Sequence, residues 1–221
     1  MRSKLPYLVL AALISTPALA GDVKGTIHFK GAPPALAPLK VTKDANTCGQ
    51  TVPNESVQVS NGRLENVVVT VDVAGAAKPQ PQKVVLDQQG CRYHPHVQVA
   101  PVGSTLEIHN GDPMLHNIHG RLGQMTVFNL AMPVKGMQIP KQLAKEGLVH
   151  VQCDVHSWME GWVVVTDQPA AVGGKDGTYV VKGVPPGAHT VTAWHEKYGK
   201  QTQQVTVPAS GEATVDFTFG G

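Results

Sequence analysis

The chain has 221 residues and a formal net charge of +2, and only 15% of its residues are charged. It contains no basic stripe or arginine cluster, which argues against a nucleic-acid partner and against binding to an anionic membrane surface. The length is enough for one large or two small domains. The three cysteines are an odd number, so a single disulfide would leave one thiol that needs a separate explanation.

The first twenty residues, MRSKLPYLVLAALISTPALA, are typical of a secretory signal peptide. Arg2 and Lys4 precede a short apolar run, and small residues stand before a cleavage point at Gly21. The run is much shorter than the roughly 20 apolar residues that span a bilayer, so no membrane anchor is expected. The sequence therefore predicts export to the periplasm of a mature chain that begins at residue 21 and has a formal charge close to zero.

The mature chain has the pattern of β-structure along its whole length. Short runs rich in β-branched residues, such as VVVTVDV, TLEIHN, GWVVVTD and HTVTAWH, alternate with clusters of Gly, Pro and Asn. This pattern predicts an all-β protein built from Greek-key sandwiches. The one helix that we expect is a turn or so near Pro140 to Glu146, in PKQLAKEG (residues 140–147).

Two breaks in composition predict the domain limits. The first is AGAAKPQPQ at 74–82, and the second is DQPAAVGGKDG at 167–177. They divide the mature chain into an N-terminal β segment (21–79), a central domain (80–167) and a C-terminal β domain (168–221).

The segment CDVHSWMEG, residues 153–161, places a thiol, an imidazole and a thioether close together, at Cys153, His156 and Met159. A second imidazole is available upstream in EIHNGDPMLHNIH, where His116 follows a Gly-Asp-Pro turn at the start of a predicted strand. Two imidazoles and a thiolate with a long axial thioether form a type 1, or blue, copper site. Structural zinc sites use more thiolates and rarely use Met. The four side chains therefore predict one bound copper ion.

Export also changes how the cysteines are interpreted, because two thiols in an oxidising compartment tend to pair. Cys153 is the one surrounded by metal-binding side chains, and coordination to a metal would keep it out of disulfide exchange. Cys48 and Cys91 are therefore the candidates for a disulfide.

The segments PMLHNIH and HVQCDVHSWMEGWVVV resemble the cupredoxins over about residues 81–167, with the ligand-loop spacing of amicyanin rather than plastocyanin. The resemblance implies a Greek-key copper domain in which His116 and His156 supply the imidazoles and Cys153 the thiolate. It also implies that Met159 is the axial ligand and that Asn117 ties the two ligand segments together. In such a protein the second imidazole, His156, would pass the electron across a solvent-exposed edge.

Other side chains near these motifs have more than one possible role. His119 could replace His116 as the ligand, although the family pattern favours His116. His94 and His96, in YHPHVQV, are candidates for an auxiliary metal site, and solvated side chains are the simpler alternative. Trp158 either caps the copper pocket or faces a partner, and the sequence does not decide between these two roles.

The C-terminal segment DGTYVVKGVPPGAHTVTAWHEKYGKQTQQVTV, residues 176–207, resembles a transthyretin-like or carboxypeptidase-regulatory-like β-sandwich. The first strands of such a sandwich are absent there, but a matching stretch, GDVKGTIHFKG, lies at 21–31. Our hypothesis is that residues 22–79 and 168–221 form one sandwich with the copper domain inserted between them. In the alternative, the N-terminal strands simply extend the copper domain.

The function predicted from these features is single-electron transfer in the periplasm. A redox protein, such as a c-type cytochrome or a periplasmic oxidoreductase, is the expected partner, and a monomer is the expected state. The alternative is a periplasmic copper-binding protein for copper storage, delivery or resistance, which His94 and His96 would favour. An enzyme is not expected, because the chain lacks the His-Cys-His feature of multicopper oxidases, a haem-attachment motif and a Gly-x-Ser-x-Gly elbow.

Overall fold

A computed structural model describes residues 20–75 and 77–221, so the predicted signal peptide lies outside the described residues except for Ala20. Strands hold 55% of the described residues and helix 2%, which confirms the all-β prediction. Among the described helices, none is both long and apolar enough to cross a membrane.

The elements are short and closely spaced along the chain. The helix in the described ranges is α1 (Ala45–Cys48). The strands, in chain order, are β1 (Gly21–Lys30), β2 (Leu39–Lys40), β3 (Thr51–Val52), β4 (Val59–Ser60), β5 (Arg63–Leu64), β6 (Val68–Asp72), β7 (Lys83–Gln89), β8 (Arg92–His94), β9 (Val97–Ala100), β10 (Thr105–Asn110), β11 (His116–Leu122), β12 (Met125–Met132), β13 (Gln138–Gln142), β14 (Gly147–Gln152), β15 (Glu160–Val165), β16 (Ala170–Val172), β17 (Thr178–Val184), β18 (Gly187–His195), β19 (Gly199–Val207), β20 (Glu212–Thr214) and β21 (Phe217–Gly220).

The central part of the chain forms two sheets around one hydrophobic core. One sheet has the order β13-β10-β7-β8 and the other the order β12-β11-β14-β15-β9. Their alternating apolar side chains meet between the sheets, among them the fully buried Leu106, Ile118 and Val163. Because it corresponds to the copper domain expected from the sequence, we call this unit the copper sandwich.

A second core lies between sheets that combine strands from residues 21–72 and 170–220. Strand β1 pairs with β17, β20 and β21, and β6 pairs with β16 and β18. Buried side chains from both ends, such as Val23, Val69, Val191 and Phe217, share this core. This pairing is what the hypothesis of one sandwich with an inserted copper domain requires, while the domain limits themselves stay a prediction.

Residues 39–52 leave the second core and lie on the copper sandwich; we call this segment the N-terminal arm. It comprises β2, α1 and β3, and its Val41 and Val52 are buried in the core of the copper sandwich. A disulfide joins Cys48 of the arm to Cys91, with their Cα atoms 5.5 Å apart. The predicted disulfide is therefore confirmed.

The helix predicted within residues 140–146 is wrong. Pro140 lies in the edge strand β13, which pairs with β10 in antiparallel register, so that Pro140 faces Glu107. An edge strand tolerates proline because one side of its backbone needs no hydrogen-bond donor. Pairing with β10 extends to Lys141 and Gln142 and overrides their weak helical preference, and residues 143–146 form a loop before β14.

The register of three neighbouring strands brings the predicted ligand segments together. His119 of β11 faces Gln152 of β14, and Gln152 faces Glu160 of β15. The start of β11, where His116 lies, therefore adjoins the loop that leaves β14 and returns in β15. This loop contains Cys153, His156 and Met159, so the sheet places all four residues at the same end of the copper sandwich.

Candidate metal centre

The loop between β14 and β15 is closed by its own backbone. The Cys153 N–H donates to the Met159 carbonyl at 3.2 Å, and the Met159 N–H donates to the His156 carbonyl at 2.9 Å. The His156 N–H lies 3.4 Å from the Cys153 Sγ and donates to it. All three side chains are buried, so the loop holds them in a fixed arrangement away from water.

His116 completes the cluster from the start of β11. Its side chain is fully buried, and its Nδ1 lies 3.1 Å from the Nδ1 of His156. The Cys153 Sγ is 3.7 Å from the same His156 nitrogen. Candidate ligand atoms of these three residues all lie within 4.8 Å of one another. The structure thus brings together the two imidazoles and the thiol that the sequence predicts.

A carboxylate lies within hydrogen-bond distance of the Nε2 of each imidazole. The Nε2 of His116 lies 2.8 Å from the Oδ2 of Asp112, and the Nε2 of His156 lies 2.9 Å from the Oδ2 of Asp44. A carboxylate only accepts, so each Nε2 carries the proton and each Nδ1 presents a lone pair. Two Nδ1 lone pairs 3.1 Å apart repel each other unless a proton or a metal ion lies between or beside them, so this arrangement offers a place for a cation.

The protonation states of His116 and Asp112 suit metal binding. Burial lowers the pKa of His116 and outweighs the opposite effect of the Asp112 carboxylate. Burial alone would raise the pKa of Asp112, but hydrogen bonds from the Cys91 N–H, His116 and the Gly90 N–H hold that pKa below its usual value. A neutral imidazole beside an ionised carboxylate is the state in which histidine coordinates a metal.

The donor set fits a copper ion. Bonds of about 2.0–2.3 Å to nitrogen and sulfur place two ligands of one ion about 3–4 Å apart, and the measured separations are 3.1 and 3.7 Å. His116, His156 and Cys153 would hold the ion, and the buried Met159 ends the same loop. One thiolate with two imidazoles and a thioether suits copper better than zinc.

Another group of donor atoms lies close by, at Cys91, Asp112 and His116. The Cys91 sulfur belongs to the disulfide with Cys48 and is not free to bind a metal. Asp112 therefore acts on the metal centre only through the Nε2 of His116.

Asn117 lies where it can tie the ligand segments together. Its Oδ1 accepts a hydrogen bond of 3.1 Å from the Asp154 N–H, and its Nδ2 donates to the Asn129 Oδ1 at 2.6 Å. His119 supports the same loop, because its Nδ1 lies 3.1 Å from the Asp154 carboxylate and its Nε2 lies 2.8 Å from the Thr126 Oγ1. Both nitrogens of His119 are thus engaged outside the cluster.

Trp158 covers the pocket from within the protein. Its side chain is 9% exposed, and its ring centroid lies 5.1 Å from that of His156. The indole Nε1–H donates to the Cys91 carbonyl at 3.1 Å. The ring therefore links the ligand loop to the disulfide and does not present its face to a partner.

The exposed edge predicted for His156 is wrong. The side chain is fully buried, and Asp44 of the N-terminal arm covers its Nε2. The cause is the path of the arm, which the disulfide and the burial of Val41 and Val52 hold against this end of the copper sandwich. The His156 imidazole therefore has no solvent-exposed edge in this structure.

The structure does not join His94 and His96 into one cluster. The Nε2 of His94 contacts the Gln89 carbonyl at 3.2 Å, whereas the Nε2 of His96 pairs with the buried Glu196 carboxylate on the second sandwich. In residues 20–75 and 77–221, neither histidine falls in a group of three metal-binding donors. The auxiliary metal site stays a prediction.

Sequence reasoning missed the two carboxylates that contact the imidazoles. Asp112 carried a weak signal, because it lies four residues before His116 in the same turn. Asp44 lies 112 residues from His156 in the sequence. Its position four residues before the disulfide candidate Cys48 was the one available sign that it could reach the site.

Comparison with known proteins returns the two resemblances noted in the sequence. A model of the carboxypeptidase regulatory-like domain matches residues 163–220. Among curated proteins, no sequence matches the chain. The solved structures that it resembles include a copper-containing nitrite reductase, a purple cupredoxin and amicyanin variants.

A copper-containing nitrite reductase from Thermus scotoductus SA-01 is 24% identical with a TM-score of 0.33, over 43% of this chain and 25% of its own length. A purple cupredoxin from Nitrosopumilus maritimus is 23% identical with a TM-score of 0.33, over 39% of this chain and all of its own. A reduced amicyanin variant is 26% identical with a TM-score of 0.33, over 52% of this chain and 96% of its own length. We rest no functional argument on likenesses at these TM-scores. The chain is similar to cupredoxins over about half of its length and to the carboxypeptidase regulatory-like domain over residues 163–220.

Proposed function

We propose that the protein is a periplasmic type 1 copper protein that carries single electrons. The observation behind this proposal is the buried convergence of the His116 Nδ1, His156 Nδ1 and Cys153 Sγ, with both Nε2 atoms held by carboxylates. When bound, copper would supply a Cu(II)/Cu(I) couple. No chemistry on an organic substrate is part of the proposal.

The residues around the cluster favour electron transfer because they resist rearrangement. The backbone closes the Cys153–Met159 loop, Asn117 ties it to β11, and Trp158 ties it to the disulfide. A rigid site that suits both oxidation states of copper changes little when an electron arrives or leaves, which keeps the barrier to transfer low.

We propose that the redox partner, for example a c-type cytochrome or a periplasmic oxidoreductase, docks beside the start of β11. Leu115 is 43% exposed and directly precedes His116, and Val134 is 61% exposed just after Met132, the residue that faces His116. Small apolar contacts of this kind suit transient redox encounters. The periplasmic location is supported by the predicted signal peptide and by the disulfide.

Copper storage or delivery is the second candidate. The full burial of His156 under the N-terminal arm favours it, because a covered site retains an ion and releases it when the cover moves. Uptake and release of copper would then depend on the arm.

A redox titration combined with a copper-transfer assay separates the two candidates. For an electron carrier we expect a reversible one-electron couple and retention of Cu(I) against a strong Cu(I) chelator. Rapid loss of Cu(I) to the chelator would favour copper handling instead. Failure of the full chain to bind copper at all would refute both proposals.

A further inference from the structure

We infer that Asp44 is a positioning residue of the metal centre, whose carboxylate orients His156, shields its outer edge and lowers the reduction potential of the site. This inference rests on the proposed copper function. It concerns a residue outside the predicted copper domain, on the N-terminal arm.

The contact that carries the inference is a hydrogen bond to an ionic acceptor. The His156 Nε2 lies 2.9 Å from the Asp44 Oδ2, and the His156 side chain is fully buried while the Asp44 side chain is 40% exposed. Asp44 therefore stands between the imidazole and the solvent. Bonds to a carboxylate are shorter and stronger than bonds between neutral groups, so this contact fixes the ring with its Nδ1 toward His116 and Cys153.

The arm is built so that Asp44 stays in place. The Asp44 carbonyl accepts hydrogen bonds from the Thr47 and Cys48 N–H groups, each at 3.0 Å. Asp44 has a φ of 56°, a conformation that aspartate tolerates better than most residues. Cys48 is bonded to Cys91, whose carbonyl accepts the Trp158 N–H. The arm and the ligand loop thus share one connected set of contacts.

The negative charge acts on the metal through the imidazole. A carboxylate on the Nε2–H increases the basicity of Nδ1, so His156 becomes a stronger donor and the oxidised ion is favoured over the reduced one. A water molecule or a neutral amide in the same place would increase the basicity of the His156 Nδ1 less. Asp112 occupies the equivalent position on His116, so both imidazoles carry an ionic partner.

The first test uses the copper-free full chain and the ¹⁵N chemical shifts of His156. We expect the wild-type protein to show the Nε2–H tautomer, because Asp44 accepts that proton. We expect Asp44→Ala to show a mixture of tautomers or ring motion. A wild-type His156 protonated on Nδ1 would overturn the inference without any appeal to copper.

The second test is the reduction potential of copper-loaded variants. We expect Asp44→Asn and Asp44→Ala to have higher potentials than the wild-type protein, and Asp44→Glu to recover part of the difference. A tenfold weaker preference for Cu(II) over Cu(I) corresponds to about 59 mV. Loss of an outer partner of this kind typically weakens metal affinity by about 10- to 100-fold, and we expect the Cu(II) affinity of Asp44→Ala to fall within that range.

The control is Asp72→Asn, which makes the same change of charge at an exposed position on β6 of the second sandwich. We compare how far the reduction potential of each variant shifts from the wild-type value. Shifts in the Asp44 variants that are no larger than the shift in Asp72→Asn would overturn the inference. If Asp44→Ala does not fold, the near-isosteric Asp44→Asn and the ¹⁵N shifts decide. A wild-type protein without a thiolate-to-copper band refutes the copper function instead, so the two failures are distinguishable.

Discussion

Replacing Asp112 by Asn should destabilise the copper-free protein strongly, because its carboxylate accepts three hydrogen bonds in a buried turn. The Oδ1 accepts the Gly90 N–H at 2.9 Å, and the Oδ2 accepts the Cys91 N–H and the His116 Nε2–H, both at 2.8 Å. An amide has one acceptor oxygen, and its NH₂ group would face a donor. At least one buried donor is then left without a partner.

The size of the effect follows from the number of bonds lost. A hydrogen bond to a charged group contributes about 1.5–3 kcal/mol, and an unsatisfied buried donor costs about 1–3 kcal/mol. We therefore expect Asp112→Asn to lower the free energy of unfolding by about 2–4 kcal/mol. Urea unfolding of the copper-free, disulfide-bonded protein at pH 7 measures this change directly.

Asp176→Asn is the matched control. The Asp176 Oδ1 also accepts two hydrogen bonds, from the Thr178 N–H at 3.0 Å and the Thr178 hydroxyl at 2.8 Å, but on an exposed turn. Water can replace these partners, so its loss of stability should be clearly smaller. An Asp112→Asn variant that loses less than about 1 kcal/mol, or no more than Asp176→Asn, would refute the role of Asp112 in the turn.

Three further predictions concern stability. Removing the disulfide with Cys48→Ser and Cys91→Ser should cost about 4 kcal/mol in urea unfolding, because the bond closes a loop across 43 residues. Burial lowers the pKa of His195 to about 4. The neutral His195 therefore contributes fully to the free energy of unfolding above pH 6.5, and about 3 kcal/mol of that free energy is lost as the pH falls to 4. His195→Phe should flatten that part of the pH–stability curve. Gly120→Ala should cost about 1–3 kcal/mol, because a Cβ there would lie 2.3 Å from the Phe128 Cζ.

Each of these predictions has an outcome that contradicts it. Equal stability of the oxidised and reduced wild-type protein would rule out a stabilising disulfide. A His195→Phe curve parallel to that of the wild-type protein from pH 7 to 4 would show that burial does not lower the pKa of His195. If Phe128→Leu does not relieve the loss caused by Gly120→Ala, contact with the Phe128 ring is not its cause.

The candidate ligands could be proposed from the sequence because three of the four lie close together in it. Cys153, His156 and Met159 lie on one loop of fixed spacing, and His116 follows a turn that marks the start of a strand. Residue type adds the chemistry, because a thiol, imidazoles and a thioether in this order are typical of copper sites. The approach of His116 to this loop, in contrast, depends on the pairing of β11 with β14.

The cover over the site could not be predicted, because it depends on contacts across 112 residues. The N-terminal arm has two strands of two residues each and one four-residue helix, so no strong periodicity reveals its path. Its position follows from the disulfide and from the burial of Val41 and Val52. The same limit explains the wrong helix at Pro140, where strand pairing overrides local preference.

The absorption spectrum of the oxidised, copper-loaded protein tests the central claim most directly. We predict an intense thiolate-to-copper band in the visible range that disappears in Cys153→Ser, a variant that keeps nearly the same volume in the buried loop. The same folded variant should keep its far-ultraviolet circular dichroism spectrum. Absence of the band in the wild-type protein, with zinc bound in place of copper, would contradict the account.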